Sequence, residues 1–123
     1  MQITVTKFGS RARRLVLVGD LDISGAEKLD LPLATLAGYG GDLVVDMTRL
    51  DGIAAIGIRH LVCAARALRR DSGQLIVLGA NPLVTNMLMR AHVDDLLPIM
   101  RSEDDAREAL GSSNAANAHS GTA

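Results

Sequence analysis

The stretch from Leu43 to Ala65 constrains the fold of this chain most strongly, because it joins an apolar strand directly to a long apolar helix. Its strand covers residues 43–45 and ends at a carboxylate, Asp46. A polar turn is predicted over residues 48–52, and a helix is predicted to begin at Ile53. A buried strand, a tight loop and a helix start form a unit typical of α/β folds.

The start of this predicted helix is unusual in its chemistry. Ala54, Ala55 and Ile56 stand where a helix usually carries a capping side chain such as Ser, Thr, Asp or Asn. The free N–H groups of a helix start favour anions and polar partners. The segment therefore becomes the first candidate for function in this chain.

The rest of the chain alternates strand and helix patterns. Residues 3–6 suit an edge strand, residues 15–18 and 75–78 suit strands covered on both faces, and residues 96–99 suit a short last strand. Helices are predicted to begin at Ser24, which could form a capping box with Glu27, at Asn81-Pro82 with Leu83 facing inward, and at Ser102. Arg11, Arg13 and Arg14 are predicted to occupy a solvated hairpin tip.

Composition excludes several classes of protein. The 123 residues carry a net charge of −1, which argues against a nucleic-acid-binding face. No apolar run is long enough to cross a bilayer, and the first residues lack a signal-peptide block, so a cytoplasmic protein without membrane insertion is expected. A single cysteine, Cys63, excludes an internal disulfide and is predicted to be a small apolar filler.

Four segments in the same order resemble the STAS domain family, the anti-sigma factor antagonists and their relatives. They are Gly19-Asp20-Leu21-Asp22, residues 44–48, residues 73–77, and Asn81-Pro82 followed by residues 96–99. The resemblance implies an α/β fold with a mixed β-sheet of four to five strands and helices mainly packed on one face. It covers a single domain, residues 1–110, and leaves residues 111–123 as a small, polar and flexible tail.

The departure from the family pattern lies at the unusual helix start. The family's D-S-S-G-L segment falls on Ala54, Ala55, Ile56, Gly57 and Ile58. In the family the second serine is phosphorylated by a partner that is both anti-sigma factor and kinase. Ile56 takes that position and has no oxygen to modify.

The resemblance implies a non-catalytic regulator that binds a GHKL-type, kinase-like anti-sigma factor without being phosphorylated at the usual position. The implied partner-binding residues are Asp20, Asp22, Ala54, Ala55, Ile56, Gly57 and Ile58, and neither a cofactor nor a metal is expected. The alternative is a STAS subunit of a lipid-transport ATPase complex or a stress-sensing assembly. Ile53 and Ile56 also leave a homodimer open.

Several of these candidate residues also have a simpler structural interpretation. Ile56 could belong to the core. Asp20 and Asp22, near Asp46, could resemble the metal pocket of phosphoacceptor receiver domains, although solvated strand-end acids are expected. Thr48 could accept a phosphoryl group, although a turn hydroxyl bonded to its own backbone is the usual case. No nucleophile elbow, metal cluster, dinucleotide fingerprint or acid/base pair supports an enzyme.

Overall fold

Parallel strand–helix units build this protein, and an antiparallel hairpin closes one edge. The computed structural model describes residues 1–111, so the predicted tail lies outside the described residues except for Gly111, which lies in a helix. The elements are β1 (Gln2–Phe8), β2 (Ala12–Leu21), α1 (Ile23–Tyr39), β3 (Asp42–Ile53), α2 (Ala55–Arg70), β4 (Leu75–Leu78), α3 (Pro82–Arg90) and β5 (Ile99–Met100). A further helix, α4, covers residues 103–111.

The five strands form one mixed sheet in the order β1-β2-β3-β4-β5. β1 pairs with β2 antiparallel, and the remaining neighbours pair parallel. Parallel neighbours need crossover connections, which α1, α2 and α3 provide. The predicted α/β class, mixed sheet and strand number are confirmed.

The two faces of the sheet are covered unequally. Side chains of α1, α2 and α3 pack with one face, on which Leu15, Leu17 and Val45 are buried. On the other face, Ala106 and Leu110 of α4 pack with a smaller group that includes Phe8, Ala12, Val44 and Ile76. The prediction that the helices lie mainly on one face is therefore confirmed, and α4 is the exception.

The predicted turn over residues 48–52 is wrong, because β3 continues through it to Ile53. The partner strand explains the difference. Beyond Asp46, β3 stays paired with β2 through two register shifts, and the ladder ends with Leu21 opposite Ile53. At each shift β3 has more residues than β2, as in a β-bulge, and pairing between the two strands resumes beyond it. The helix start consequently moves from Ile53 to Ala55.

Side chains cap the starts of α1 and α3, and one of the two predicted caps is wrong. Asp22 caps α1 and accepts a hydrogen bond from the Gly25 backbone N–H at 2.7 Å, so the predicted cap at Ser24 is wrong. Asn81 caps α3 by accepting from the Val84 N–H at 2.8 Å, as predicted. Leu83, expected inside, is 61 % exposed, because Val84 and Leu88 form the inner face of α3.

The predicted solvated arginine tip is wrong for Arg14. It lies in β2, and its guanidinium contacts two carboxylates, Asp46 at 3.7 Å and Glu103 of α4. Asp46 is only 7 % exposed and also accepts two hydrogen bonds from Thr48. Arg14 therefore neutralises a buried charge and ties α4 to the sheet.

Replacing Arg14 with Met should lower the free energy of unfolding by about 1–3 kcal/mol, because it leaves the Asp46 carboxylate buried without its cation. Urea unfolding measures the change. Arg14→Met combined with Asp46→Asn should recover part of the loss. The exposed Arg13 serves as the control, and equal effects of Arg13→Met and Arg14→Met would contradict the assignment.

Candidate partner-binding site

The start of α2 is held by backbone groups instead of a capping side chain. Ala54 is the N-cap residue, with an extended backbone and no side-chain hydrogen bond. Its N–H donates to the Leu21 carbonyl at 2.8 Å, and its carbonyl accepts from the Ile58 N–H at 3.2 Å. The absence of a polar cap, noted in the sequence, is thus a feature of the folded structure.

The predicted site residues 54–58 divide into an outer and an inner set. Ile56 is 38 % exposed and Ala55 is exposed, while Ala54 is half-buried. Gly57 and Ile58 are buried and face the core. Ile56 is therefore not a core residue, and a partner at this site would meet mainly Ala55 and Ile56.

Gly57 is required by close packing under the helix start. An ideal Cβ placed on Gly57 would lie 2.7 Å from Cγ and 2.8 Å from Cδ2 of Leu21, a side chain with no solvent exposure. Leu21 is the last residue of β2, and its carbonyl binds the Ala54 N–H. The end of β2 therefore supports the α2 start from beneath through both its backbone and its side chain.

The two predicted acidic residues have different surroundings. Asp20 is exposed, and its Oδ1 lies 2.8 Å from the position of an ideal Cβ on Gly52, so its carboxylate sits beside the segment that leads into α2. The Asp22 carboxylate caps α1 instead. The structure thus brings Asp20 to the α2 start and gives Asp22 a structural role within its own helix.

The receiver-like metal pocket has no counterpart in the arrangement of these acids. Asp46 pairs with Val16 across the sheet, whereas Asp20 pairs with Gly52 further along. Between residues 1 and 111, no group of three or more His, Cys, Asp or Glu side chains could hold a metal ion. The Thr48 hydroxyl donates to Asp46 Oδ1 at 2.7 Å, so the two side chains form a local pair.

Three features near the site were not predicted from the sequence. Asn81 donates through Nδ2 to the carbonyls of Leu50 at 3.1 Å and Asp51 at 3.3 Å, which links the end of β3 to α3. Ile23 and Leu83, at the starts of α1 and α3, are 67 % and 61 % exposed. Both residues lie on the first turn, ahead of the first buried residue of their helix, and this position was a sequence signal for their exposure.

The prediction for Cys63 is wrong, because this residue lines a groove between α1 and α2. Cys63 is exposed rather than a core filler. It lines a groove of about 460 Å³ together with Leu33, Ala34 and His60. The imidazole Nδ1 of His60 lies 3.9 Å from Asp30 Oδ1.

Similarity to known proteins identifies the family of this chain. The family model described as "Mlab, STAS domain" matches residues 5–98. The chain belongs to the STAS domain family. BtrV of Bordetella bronchiseptica, whose name assigns it to the anti-sigma factor antagonists, is 30 % identical over 95 residues, which are 76 % of this chain and 82 % of BtrV. These homologues belong to a family of non-enzymatic regulators.

Solved STAS structures share the fold. An anti-sigma factor antagonist from Mycobacterium paratuberculosis gives a TM-score of 0.79 at 18 % identity, covering 89 % of this chain and 92 % of its own. Unphosphorylated SpoIIAA gives 0.75 at 17 % identity, covering 89 % and 97 %. No helix in the described part of this STAS chain has the length and apolarity needed to cross a membrane.

A capping side chain should stabilise this STAS domain. Ala54→Asp supplies an acceptor for the free N–H groups and a charge that favours the helix dipole, so the free energy of unfolding should rise by about 0.5–2 kcal/mol. Chemical denaturation measures it. Ala55→Asp, inside the first turn, should gain less, and a loss of stability in Ala54→Asp would contradict the observed cap geometry.

Gly57→Ala should destabilise the domain by about 1–3 kcal/mol, because its Cβ overlaps the fully buried Leu21 side chain. Gly38→Ala is the matched control: Gly38 also lies in a helix, and its added Cβ meets nothing within 4 Å. This control should be neutral or stabilise by about 0.5–1 kcal/mol. Thermal denaturation in which both variants behave alike would refute the packing argument.

Proposed function

We propose that this STAS domain is a non-catalytic protein-binding regulator that engages a GHKL-type, kinase-like anti-sigma factor through the start of α2. It acts in the cytoplasm and is not switched by phosphorylation there. The observation that carries the proposal is the exposed Ile56 at an uncapped helix start. Membership of the STAS family and the similarity to BtrV support the class of partner.

The chemistry of the helix start supports binding without a phosphorylation switch. Residues 54–58 carry no hydroxyl group, so a kinase has no acceptor in this segment. In the family's mechanism, a phosphate brings about −1.5 to −2 charges into the interface and expels the partner. Here that charge cannot arise at Ile56, and binding would respond to the partner's abundance or to another site.

The energy available at Ile56 is modest. Complete burial of such a side chain contributes about 1.5–3 kcal/mol. Because 38 % of the Ile56 surface is exposed, covering that part supplies only a fraction of this amount. Ile56 alone cannot provide a tight complex, so neighbouring residues must contribute most of the contact.

Affinity purification of the full chain from its native host tests the class of partner. We expect a kinase-like anti-sigma factor to co-purify, and the purified pair should re-form a complex in size-exclusion chromatography. A transporter ATPase recovered in its place would support the lipid-transport alternative, and components of a stress-sensing assembly would support the other. A wild-type chain that elutes as a dimer and excludes the anti-sigma factor would also overturn the proposal.

Restoring the family segment should restore modification. The triple variant Ala54→Asp, Ala55→Ser, Ile56→Ser should be phosphorylated by the partner kinase in the presence of ATP, whereas wild type should keep its unmodified mass. A second variant with Ala54→Asp and Ala55→Ser, retaining Ile56, is the control and should remain unmodified. Phosphorylation of wild type within residues 54–58 would show that the segment is misaligned.

A further inference from the structure

Three exposed cations occupy the hairpin that joins β1 to β2, namely Lys7, Arg11 and Arg13. Lys7 and Arg13, the opposed pair, are direct partners in the antiparallel register of these strands. Because directly paired residues project from the same face of a sheet, their side chains lie next to each other. The hairpin tip thus concentrates positive charge at the first residues of β2, about 30 Å along this ten-residue strand from the end that supports the α2 start.

The positive charges of the hairpin tip have no counter-charge in the described structure. The ion pairs within residues 1–111 involve Arg14, Arg107 and His60, and none of them includes a cation of the tip. Like charges directly opposite each other destabilise a pair of strands. An anion bound between the two side chains of the opposed pair would remove this repulsion.

The three cations line one pocket. Its volume is about 290 Å³, and its lining contains no carboxylate and consists of Lys7, Gly9, Ser10, Arg11, Ala12 and Arg13. The guanidinium carbon of Arg13 lies 4.5 Å from the ring centre of Tyr39, so an aromatic face supports one of the cations. The pocket therefore combines a concave shape with three positive charges.

One neighbouring carboxylate, Asp42 at the start of β3, shares a different pocket with Arg11 and Arg107. Its Oδ1 accepts a hydrogen bond from the Gln74 N–H at 3.1 Å, on the side of β3 away from the hairpin. Asp42 therefore offsets part of the charge of Arg11. It does not line the pocket that contains the opposed pair.

The helices near the hairpin leave the charge of the opposed pair in place. The acidic residues of α4 lie across the sheet, because α4 packs on Phe8 and Ala12, and the opposed pair alternates with these two residues onto the other face. At the end of α2, Asp71 approaches Gly40 and directly follows the exposed Arg70, so this corner adds charges of both signs.

We infer that the pocket at the hairpin tip binds a phosphate group, carried by a soluble small molecule or by a lipid headgroup. Ammonium and guanidinium groups bind phosphate oxygens through charge-assisted hydrogen bonds, and the guanidinium fork matches phosphate geometry. The pocket lies just below the range of about 300–1,000 Å³ for small-molecule sites. This size favours a compact, doubly charged group over an acidic protein segment, whose carboxylates are spread along a chain.

Calorimetric titration of the full chain with inorganic pyrophosphate tests the site, at about 0.15 M salt so that long-range attraction is screened. Lys7→Gln and Arg13→Gln should each weaken the Kd about tenfold, because each removes a charge-assisted hydrogen bond. Lys28→Gln and Arg59→Gln are the matched controls and should keep the wild-type Kd, since both residues are exposed on helices and do not line the pocket. Equal Kd values in the pocket variants and the control variants would overturn the inference.

Melting temperatures separate a binding role of Lys7 from a structural one. Without ligand, Lys7→Gln should melt at or above the wild-type temperature, because it removes one of two directly opposed charges. At the same pyrophosphate concentration, wild type should gain more in melting temperature than the variant, since stabilisation follows ligand binding to the native state. A variant that melts lower without ligand and gains as much with it would contradict the inference.

Vesicles distinguish the two sources of the phosphate group. Co-sedimentation with phosphatidic acid vesicles but not with phosphatidylcholine vesicles supports a lipid headgroup, whereas binding of pyrophosphate alone supports a soluble ligand. In either case Lys7→Gln should bind about tenfold more weakly than wild type. Failure of both phosphate probes would overturn the inference, and so would a glutamate peptide that binds as tightly as they do. None of these measurements involves the anti-sigma factor, so their outcome is independent of the proposed function.

Discussion

The parallel ladder between β2 and β3 is the interaction on which the candidate site depends. It passes through two register shifts and ends with Leu21 opposite Ile53, after which the Ala54 N–H still finds the Leu21 carbonyl at 2.8 Å. Because strand pairing continues to this point, α2 cannot begin earlier than Ala55. The Leu21 side chain, packed under Gly57, then determines how closely the helix start approaches the sheet.

This arrangement explains how an uncapped helix start is tolerated. The N-cap position contributes backbone hydrogen bonds, while the buried stripe of α2, including Ile58, Leu61 and Leu68, anchors the helix through packing. Packing of an apolar face supplies most helix stability in proteins, so the loss of a capping side chain costs only a small part of it. The surface gains an apolar group, Ile56, where a polar cap or a phosphorylatable alcohol could stand.

Much of the fold was predictable from local patterns, and several of the failures share one cause. The alternation of strands and helices and the cap at Asn81 follow from spacing and composition. Local patterns did not predict the polar half of β3 or the ion pairs of Arg14, because each depends on a partner distant in sequence. Asp22 and Ser24 both satisfy capping rules, and only the end of β2 decides between them.

The exposure of Ile56 could have been deduced from the sequence. The predicted stripe of α2 begins at Ile58, and residues two apart on a helix do not face the same side. Ile56 therefore lies off the buried stripe, as its exposure confirms. In contrast, Ile23 and Leu83 could not be placed on a common edge with Ile56 without the parallel strand order, which no local pattern determines.

We propose that an apolar side chain at the α2 start makes partner binding independent of phosphorylation. Calorimetric titration of wild-type protein with its anti-sigma factor, in ATP and in a non-hydrolysable analogue, tests this proposal. The same Kd is expected in both nucleotides after prolonged incubation. A complex that dissociates only in hydrolysable ATP, with a phosphoryl group gained within residues 54–58, would contradict it.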